Sequence, residues 1–356
     1  MRTGRIICSY LVVLWTILAF QPVLSARYDT DTSSTGSKFS SDDTVKRKTP
    51  SIFHRPAKKS PEAQWEYANS LLARGKQKAA MKEYRDLVYQ WHTSSNAPAA
   101  QLAYARILYD RNDYRTAFDE YQYLIENFAG QFPYDEALDK QFRIANYLME
   151  AKRMKFLFFP GFSIQEQAMP LFEKIVKNAP GWKNSAEAQY NIGLINENKS
   201  EYAAAIQAYN NVFYKFPASD KVADASFRKA YCLYLMANKA PCDENLCRQA
   251  LSALAGFIGD YPRHGSARKA KEYRDILDDR LLKMYYDRAV FYDKTPGKAK
   301  SAQMAYEDFL NKFPLSEPAG KARERVDVLK KQIADAEALQ KEKERAEALK
   351  KEKVKK

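Results

Sequence analysis

Residues 205–217 read Ala205-Ile206-Gln207-Ala208-Tyr209-Asn210-Asn211-Val212-Phe213-Tyr214-Lys215-Phe216-Pro217, and the register inside that stretch decides the fold. Ala205, Tyr209 and Val212 are four and three residues apart, so on a helix they share one face. Pro217, five residues on, stops that helix. The same set recurs as Ala80/Tyr84/Leu87, Ala117/Tyr121/Leu124, Ala168/Phe172/Ile175, Ala250/Leu254/Phe257 and Ala302/Tyr306/Phe309. Pro180, Pro262 and Pro314 follow three of these at the same distance. The small alanine lets two helices approach closely and the ring fills the space beside it. A helix pair of this kind cannot bury its apolar face alone and must stack on copies of itself.

The pattern is the second half of a tetratricopeptide repeat. Successive key alanines are 37, 51, 37, 45 and 52 residues apart, against about 34 for the bare repeat. The longer spacings imply insertions between the two helices, near residues 152–165, 237–247 and 292–299. Counting back places Ala68, Ala105, Ala145, Gly193, Ala230 and Ala289 at the small position of each first helix. Their neighbours Tyr67, Tyr104, Ile144 and Ile192 should be core, and most of the 24 tyrosines should be structural. Ser60-Pro61 starts the array, with Ser60 as cap and Pro61 in the first helical position. After the last repeat, Ala322, Val326, Leu329 and Ile333 fit a capping helix. The expected fold is all-α: a right-handed superhelix of five to six helix-turn-helix repeats over residues 61–332. A polar, disordered linker precedes it (27–60) and a charged helical or frayed tail follows it (333–356).

Formal net charge is +14, which invites a nucleic-acid reading. Its distribution argues otherwise. Residues 1–59 carry 10 Lys/Arg against 4 Asp/Glu and residues 321–356 carry 13 against 8, while the body between holds 35 against 32. A nearly neutral array offers no phosphate-tracking groove, so nucleic acid is not an expected partner. Residues 1–26 read as a signal peptide: Arg2 and Arg5, then an apolar run from Ile6 to Phe20, Pro22, and small residues for cleavage after Ser25 or Ala26. An uncleaved anchor is the alternative. Either way the body lies outside the cytoplasm.

Chemistry is sparse. The three histidines (His54, His92, His264) have no nucleophile arranged around them, and no glycine-rich phosphate loop occurs. Asp42-Asp43 and Asp278-Asp279 are adjacent pairs that point apart. No enzyme activity, cofactor or resident metal is expected. Cys242 and Cys247 flank a polar turn, and in an oxidising compartment a bridge between them is expected. The alternative is zinc held by Cys232, Cys242, Cys247 and His264, which an exported scaffold rarely uses. Cys232 itself reads as a small buried apolar residue.

Several stretches resemble one family. Ala100-Gln101-Leu102-Ala103-Tyr104-Ala105, followed by Asp113-Tyr114 and Ala117, is similar to the second repeat of the BamD (YfiO, ComL) outer-membrane assembly proteins. The turns Phe216-Pro217-Ala218-Ser219 and Phe313-Pro314-Leu315-Ser316 resemble that family too, as does Asp279-Arg280-Leu281 followed by Ala289 and Phe291-Tyr292. The resemblance covers roughly residues 62–332 in order. It implies a periplasmic scaffold, held at the outer membrane through partners, that helps insert β-barrel proteins. Its C-terminal repeats would bind periplasmic domains of the barrel-forming subunit, and its N-terminal repeats would receive unfolded barrel proteins. Members usually carry a lipid-modified cysteine directly after the apolar segment; here no cysteine stands there. Aromatic-Pro-x-Ser turns also occur in periplasmic repeat adaptors of the Tol–Pal system. Those normally have a trimerising coiled coil before their repeats, and residues 27–60 lack any heptad. An exported adaptor with an unrelated partner is the remaining reading.

Two surfaces follow. The exposed inner positions of the first helices lie three before, one after and four after the small residue: Trp65, Asn69 and Leu72; Leu102, Arg106 and Tyr109; Phe142, Asn146 and Met149. Stacked, they would form a peptide-binding groove with an apolar wall and a polar line of Asn69, Arg106 and Asn146. Such a line can hold a terminal carboxylate, with Trp65 and Phe142 taking an aromatic side chain. The bland reading is ordinary solvent-facing positions. By the resemblance, Arg280, Tyr285, Arg288, Phe291 and Tyr292 would face the barrel subunit.

Overall fold

In the computed structural model the described residues are 46–150 and 164–354. The signal-peptide reading, Cys8, the first part of the linker and most of the insertion expected near 152–165 lie outside them. Thirteen helices follow one another among the described residues, with no strand. The first helices of six pairs are α1 (Pro61–Ala73), α3 (Ala97–Asp110), α5 (Tyr134–Glu150), α7 (Ser185–Asn198), α9 (Lys221–Lys239) and α11 (Ala267–Lys294). Their partners are α2 (Gln77–Gln90), α4 (Tyr114–Asn127), α6 (Ile164–Asn178), α8 (Tyr202–Lys215), α10 (Glu244–Asp260) and α12 (Ala299–Lys312), and α13 (Ala319–Val354) closes the series. Each helix packs on the next, and α9 also touches α7 and α11.

The alanine register governs this stacking. Ala80, Ala117, Ala168, Ala205, Ala250 and Ala302 are all fully buried, as are Ala68, Ala105, Ala145, Ala230 and Ala289 on the facing helices. The rings and aliphatic residues four and seven places on, from Tyr84 and Leu87 to Tyr306 and Phe309, are buried beside them. Ser60 caps α1 by accepting from the Ala63 amide at 3.2 Å, with Pro61 in the first turn.

Within four of the pairs the chain reverses through a left-handed residue: Gly75 (φ 71°), Asn112 (φ 62°), Ser200 (φ 62°) and Gly297 (φ 71°). At the first of these the Gly75 amide bonds Leu72 O at 2.9 Å and the Lys76 amide bonds Leu71 O at 2.9 Å. That is a Schellman motif, which uses carbonyls the helix end leaves unpaired. Between pairs an aromatic C-cap carries the turn, as where the Ser219 amide bonds Phe216 O at 3.0 Å.

The longer spacings resolve differently from the expected insertions. Only residues 240–243 separate α9 from α10, and only residues 295–298 separate α11 from α12. The extra length is helix: α9 has 19 residues and α11 has 28. No Gly or Pro lies between Gly265 and Pro296 to interrupt α11. In α13, Ala319, Ala322, Val326 and Leu329 are buried, while Leu339 and Leu349 are exposed on its continuation. Residues 46–59, the last part of the stretch expected to be disordered, carry no helix or strand. They nevertheless lie against α1–α4 through hydrogen bonds to Gln64, Glu83, Gln101, Glu120 and Tyr123.

Candidate functional site

The nine residues expected to form a peptide groove occupy α1, α3 and α5, but they are not equally available. Trp65 packs on Tyr84 (ring centroids 5.4 Å apart), and Asn69 Oδ1 accepts from the Tyr84 hydroxyl at 2.6 Å. Leu102 and Phe142 are buried at 6% and 8% exposure, with Phe142 set edge-on to Trp182 at 5.6 Å. These two belong to the core rather than to an open apolar wall, Phe142 also meeting Phe172 of α6 at 6.0 Å. Leu72 is exposed; Tyr109 lies under the Lys140 ammonium at 3.9 Å; Met149 packs at the core edge. Asn146 Oδ1 accepts from Asn191 Nδ2 at 3.0 Å.

Arg106 is where the expected clamp changes most. Its guanidinium holds the Glu136 carboxylate of α5 in a two-point pair, with Nε donating to Oε1 at 2.6 Å and Nη2 to Oε2. This hydrogen bonding lowers the Glu136 pKa and raises that of Arg106. A carboxylate therefore already occupies the guanidinium fork, and a peptide terminus would have to exchange with it.

At the other end of the array Tyr285 is buried, and charged groups from three helices gather on it. Its hydroxyl donates to Glu244 and accepts from Arg248 Nη2 at 2.6 Å, while Arg288 pairs with Glu244 at 2.8 Å. Arg288 and Lys312 both lie 4.7 Å from its ring centroid. The Tyr285 hydroxyl, followed by Arg288 and Arg248, brings the Glu244 carboxyl down to about 2. Sequence reasoning found Tyr285 and Arg288 but missed Glu244, Arg248 and Lys312, which join only through the long α11. Arg280 ties off the end of α9, donating to Ala237 O at 3.0 Å and Asn238 Oδ1 at 2.6 Å. Phe291 stays 51% exposed beside Tyr292. Of the five, it alone presents a large apolar side chain to solvent.

A second set escaped the sequence reading entirely. Gln64, Gln101, Gln141 and Gln189 stand four residues before the small residue of their helices and are all buried. Three of them donate to the carbonyl 19 residues on: Gln64 to Glu83 O (3.1 Å), Gln101 to Glu120 O (3.1 Å) and Gln189 to Ala208 O (3.2 Å). Gln141 turns instead to Phe118 O of the preceding pair at 3.3 Å. The four-residue offset from the small position is the signal that could have revealed them. Near Gln189 an open furrow of about 470 Å³ lies between α6, α7 and α8, flanked by Glu173, Lys177, Asn196 and Asn211.

The cysteines differ from expectation. Cys247 is a buried free thiol whose Sγ lies 3.6 Å from Leu277 O, so the Cys242–Cys247 bridge is not formed. The first turn of α10 directs Cys247 into the core, whereas Cys242 is exposed in the turn before it. Cys232 sits 3.8 Å from Glu197, and burial pushes its thiol up to about 12. His264 pairs with Asp224. Among the described residues no three His, Cys, Asp or Glu side chains gather in a metal-holding group, so the zinc alternative has no geometry behind it. No helix among them is long and apolar enough to cross a membrane.

Paired helices with a small-residue seam, left-handed intra-pair turns and a closing helix make this chain a tetratricopeptide-repeat superhelix. Within that class the chain is similar to the BamD/YfiO proteins over its C-terminal half. The profile of the family described as YfiO, outer membrane lipoprotein, matches residues 182–342, from α7 into α13. A curated relative, the outer membrane protein assembly factor BamD of Rickettsia prowazekii (strain Madrid E), is 23% identical over 155 residues. That match covers 42% of this chain and 54% of the relative, so the chain spans about half the length of the protein it matches. Solved structures with likeness include YrrB, described as a TPR protein with an unusual peptide-binding site. It has a TM-score of 0.30 and 18% identity, and the match covers 59% of this chain and 90% of that one. The C-terminal part of a TPR protein from Cytophaga hutchinsonii has a TM-score of 0.32 and 17% identity, with 74% and 87% covered.

Proposed function

We propose that this protein is a non-catalytic periplasmic scaffold of the machinery that inserts β-barrel proteins into the outer membrane. The observation that carries the reading is the YfiO family match across α7–α13, on a chain whose described residues form a repeat superhelix. On this reading the exposed Phe291 and the ionic cluster on Tyr285 face the periplasmic domains of the barrel-forming subunit. The Arg288–Glu244 ion pair, stacked on the buried Tyr285 ring, holds the guanidinium group in place, which reduces the ordering cost of association. Export by the segment 1–26 and attachment to the membrane through partners belong to the same proposal.

The N-terminal pairs would receive the client. Barrel proteins typically end in an aromatic residue with a free carboxylate, and the Arg106–Glu136 pair is already carboxylate-shaped. A client terminus would replace Glu136 on Arg106, with Leu72 and Tyr109 nearby. The test is capture of the purified barrel subunit's periplasmic domains by the full chain. The reading expects a one-to-one complex that Phe291→Ala weakens; no complex at micromolar concentration would remove it.

A further inference from the structure

Residues 46–58 cross the first two repeats as a strap, and they are held at two points in the same register. At the first, the Lys48 ammonium donates to Gln101 Oε1 at 3.1 Å and to Glu120. Three rings surround it, with centroids at 4.5 Å (Tyr123), 5.3 Å (Tyr104) and 5.6 Å (Tyr89). The Lys48 amide also donates to the Tyr123 hydroxyl at 2.8 Å. At the second, the Lys58 amide donates to Gln64 Oε1 at 2.9 Å, and the Ala57 amide to Glu83 Oε2 at 3.3 Å. Gln64/Glu83 and Gln101/Glu120 are the same glutamine–glutamate pair one repeat of 37 residues apart. In each the glutamine nitrogen bonds inward across the helix pair and its oxygen faces the strap.

The way the strap is held is that of a bound peptide rather than of core. Ile52 and Phe53, its large apolar residues between the two points, are 70% and 81% exposed. The hold therefore comes from polar groups, the ammonium cage and the His54 ring stacked on Tyr89 at 3.7 Å, with little aliphatic burial to make it permanent. Rings and a carboxylate around an ammonium recognise a cation by its charge and its fit to ring faces. The strap carries six basic residues between 46 and 59, and Glu83 and Glu120 bond it directly, while the buried Asp86 is paired with Lys82 and Arg85. Gln64 and Gln101 lie roughly 80–140° round the helix from Trp65, Asn69 and Leu72 and their α3 equivalents. The strap's furrow is thus separate from the expected client groove.

We propose that this furrow is a recognition site for an extended peptide presenting a lysine ammonium, with residues 46–58 as its resident occupant. A partner segment of the same chemistry binds the repeats by displacing them. This does not depend on the outer-membrane role.

The test uses the full chain and a fluorescent synthetic peptide of residues 46–59. The Lys48→Gln chain, whose own strap lacks the ammonium, should bind that peptide at least tenfold more tightly than the parent. A peptide with norleucine in place of Lys48 should bind the same variant at least tenfold more weakly. In the parent, trypsin should cleave after Arg47 at least tenfold more slowly than in Glu120→Gln, whose strap sequence is unchanged and whose helicity is checked by circular dichroism. Equal peptide affinity for the parent and Lys48→Gln, equal binding of the two peptides, no binding at all, or equal cleavage rates would each overturn the proposal.

Discussion

Replacing Gly193 by alanine tests the helix register through a single added carbon. An alanine Cβ there would stand 2.3 Å from Tyr209 Cε1 and 2.6 Å from Cδ1, where ordinary contact begins at 3.4 Å. The ring or helix α7 must therefore shift by about 1 Å. Tyr209 resists, because it is fully buried and its hydroxyl donates to Glu197 at 2.9 Å. Overpacking of this kind costs about 1–3 kcal/mol, and glycine-to-alanine exchange inside a helix returns about 0.5–1 kcal/mol. The net expectation is a loss of about 1–2 kcal/mol. Urea unfolding of the full chain followed by far-UV circular dichroism should show the midpoint falling. In a Tyr209→Leu background the same exchange should be neutral or stabilising, since the clashing ring is gone. A Gly193→Ala chain as stable as the parent would refute the contact and the register drawn through it.

Ala205→Leu, which forces a larger side chain into a fully buried seam, should cost about 1–3 kcal/mol in the same assay; an unchanged melt would count against the seam. Glu244 has its folded pKa depressed to about 2, below an unfolded value of about 4.3. Its contribution is therefore complete above about pH 4.3 and is lost as pH falls toward 2. The melting-temperature gap between parent and Glu244→Gln should narrow from pH 6 to pH 3, and a constant gap would contradict the coupling. For the client groove, Glu136→Gln weakens the internal competitor for Arg106. It should raise affinity for a barrel C-terminal peptide with a free carboxylate but not for its amide, and equal effects on both would remove the carboxylate exchange.

The repeat register was legible because apolar burial imposes it: a position that must take alanine six times over leaves a spacing no loop would keep. The helix lengths were not, because an interruption was expected where the alanine spacing grew. A chain without Gly or Pro, such as residues 266–295, simply continues as helix. The glutamines at Gln64 and Gln101 were invisible for a different reason. One polar residue per helix reads as solvent-facing until its partner, a backbone carbonyl 19 residues on, is known. The strap shows the same limit, since residues 46–59 have the composition of a solvated linker and are held by five hydrogen bonds and a ring stack that composition does not encode. Among the candidate surfaces, Arg106 and Tyr285 were nameable from their positions in the repeat. Their engagement by Glu136 and Glu244 depends on which helices meet, and that information lies in the stacking.

Depleting the protein in the organism that makes it, and quantifying outer-membrane β-barrel proteins by mass spectrometry, bears most directly on the assembly role. Integral barrel proteins should fall together, with their unfolded forms accumulating in the periplasm, and a parental copy should restore them. Unchanged barrel levels on depletion would contradict the role, whatever the repeats bind in vitro.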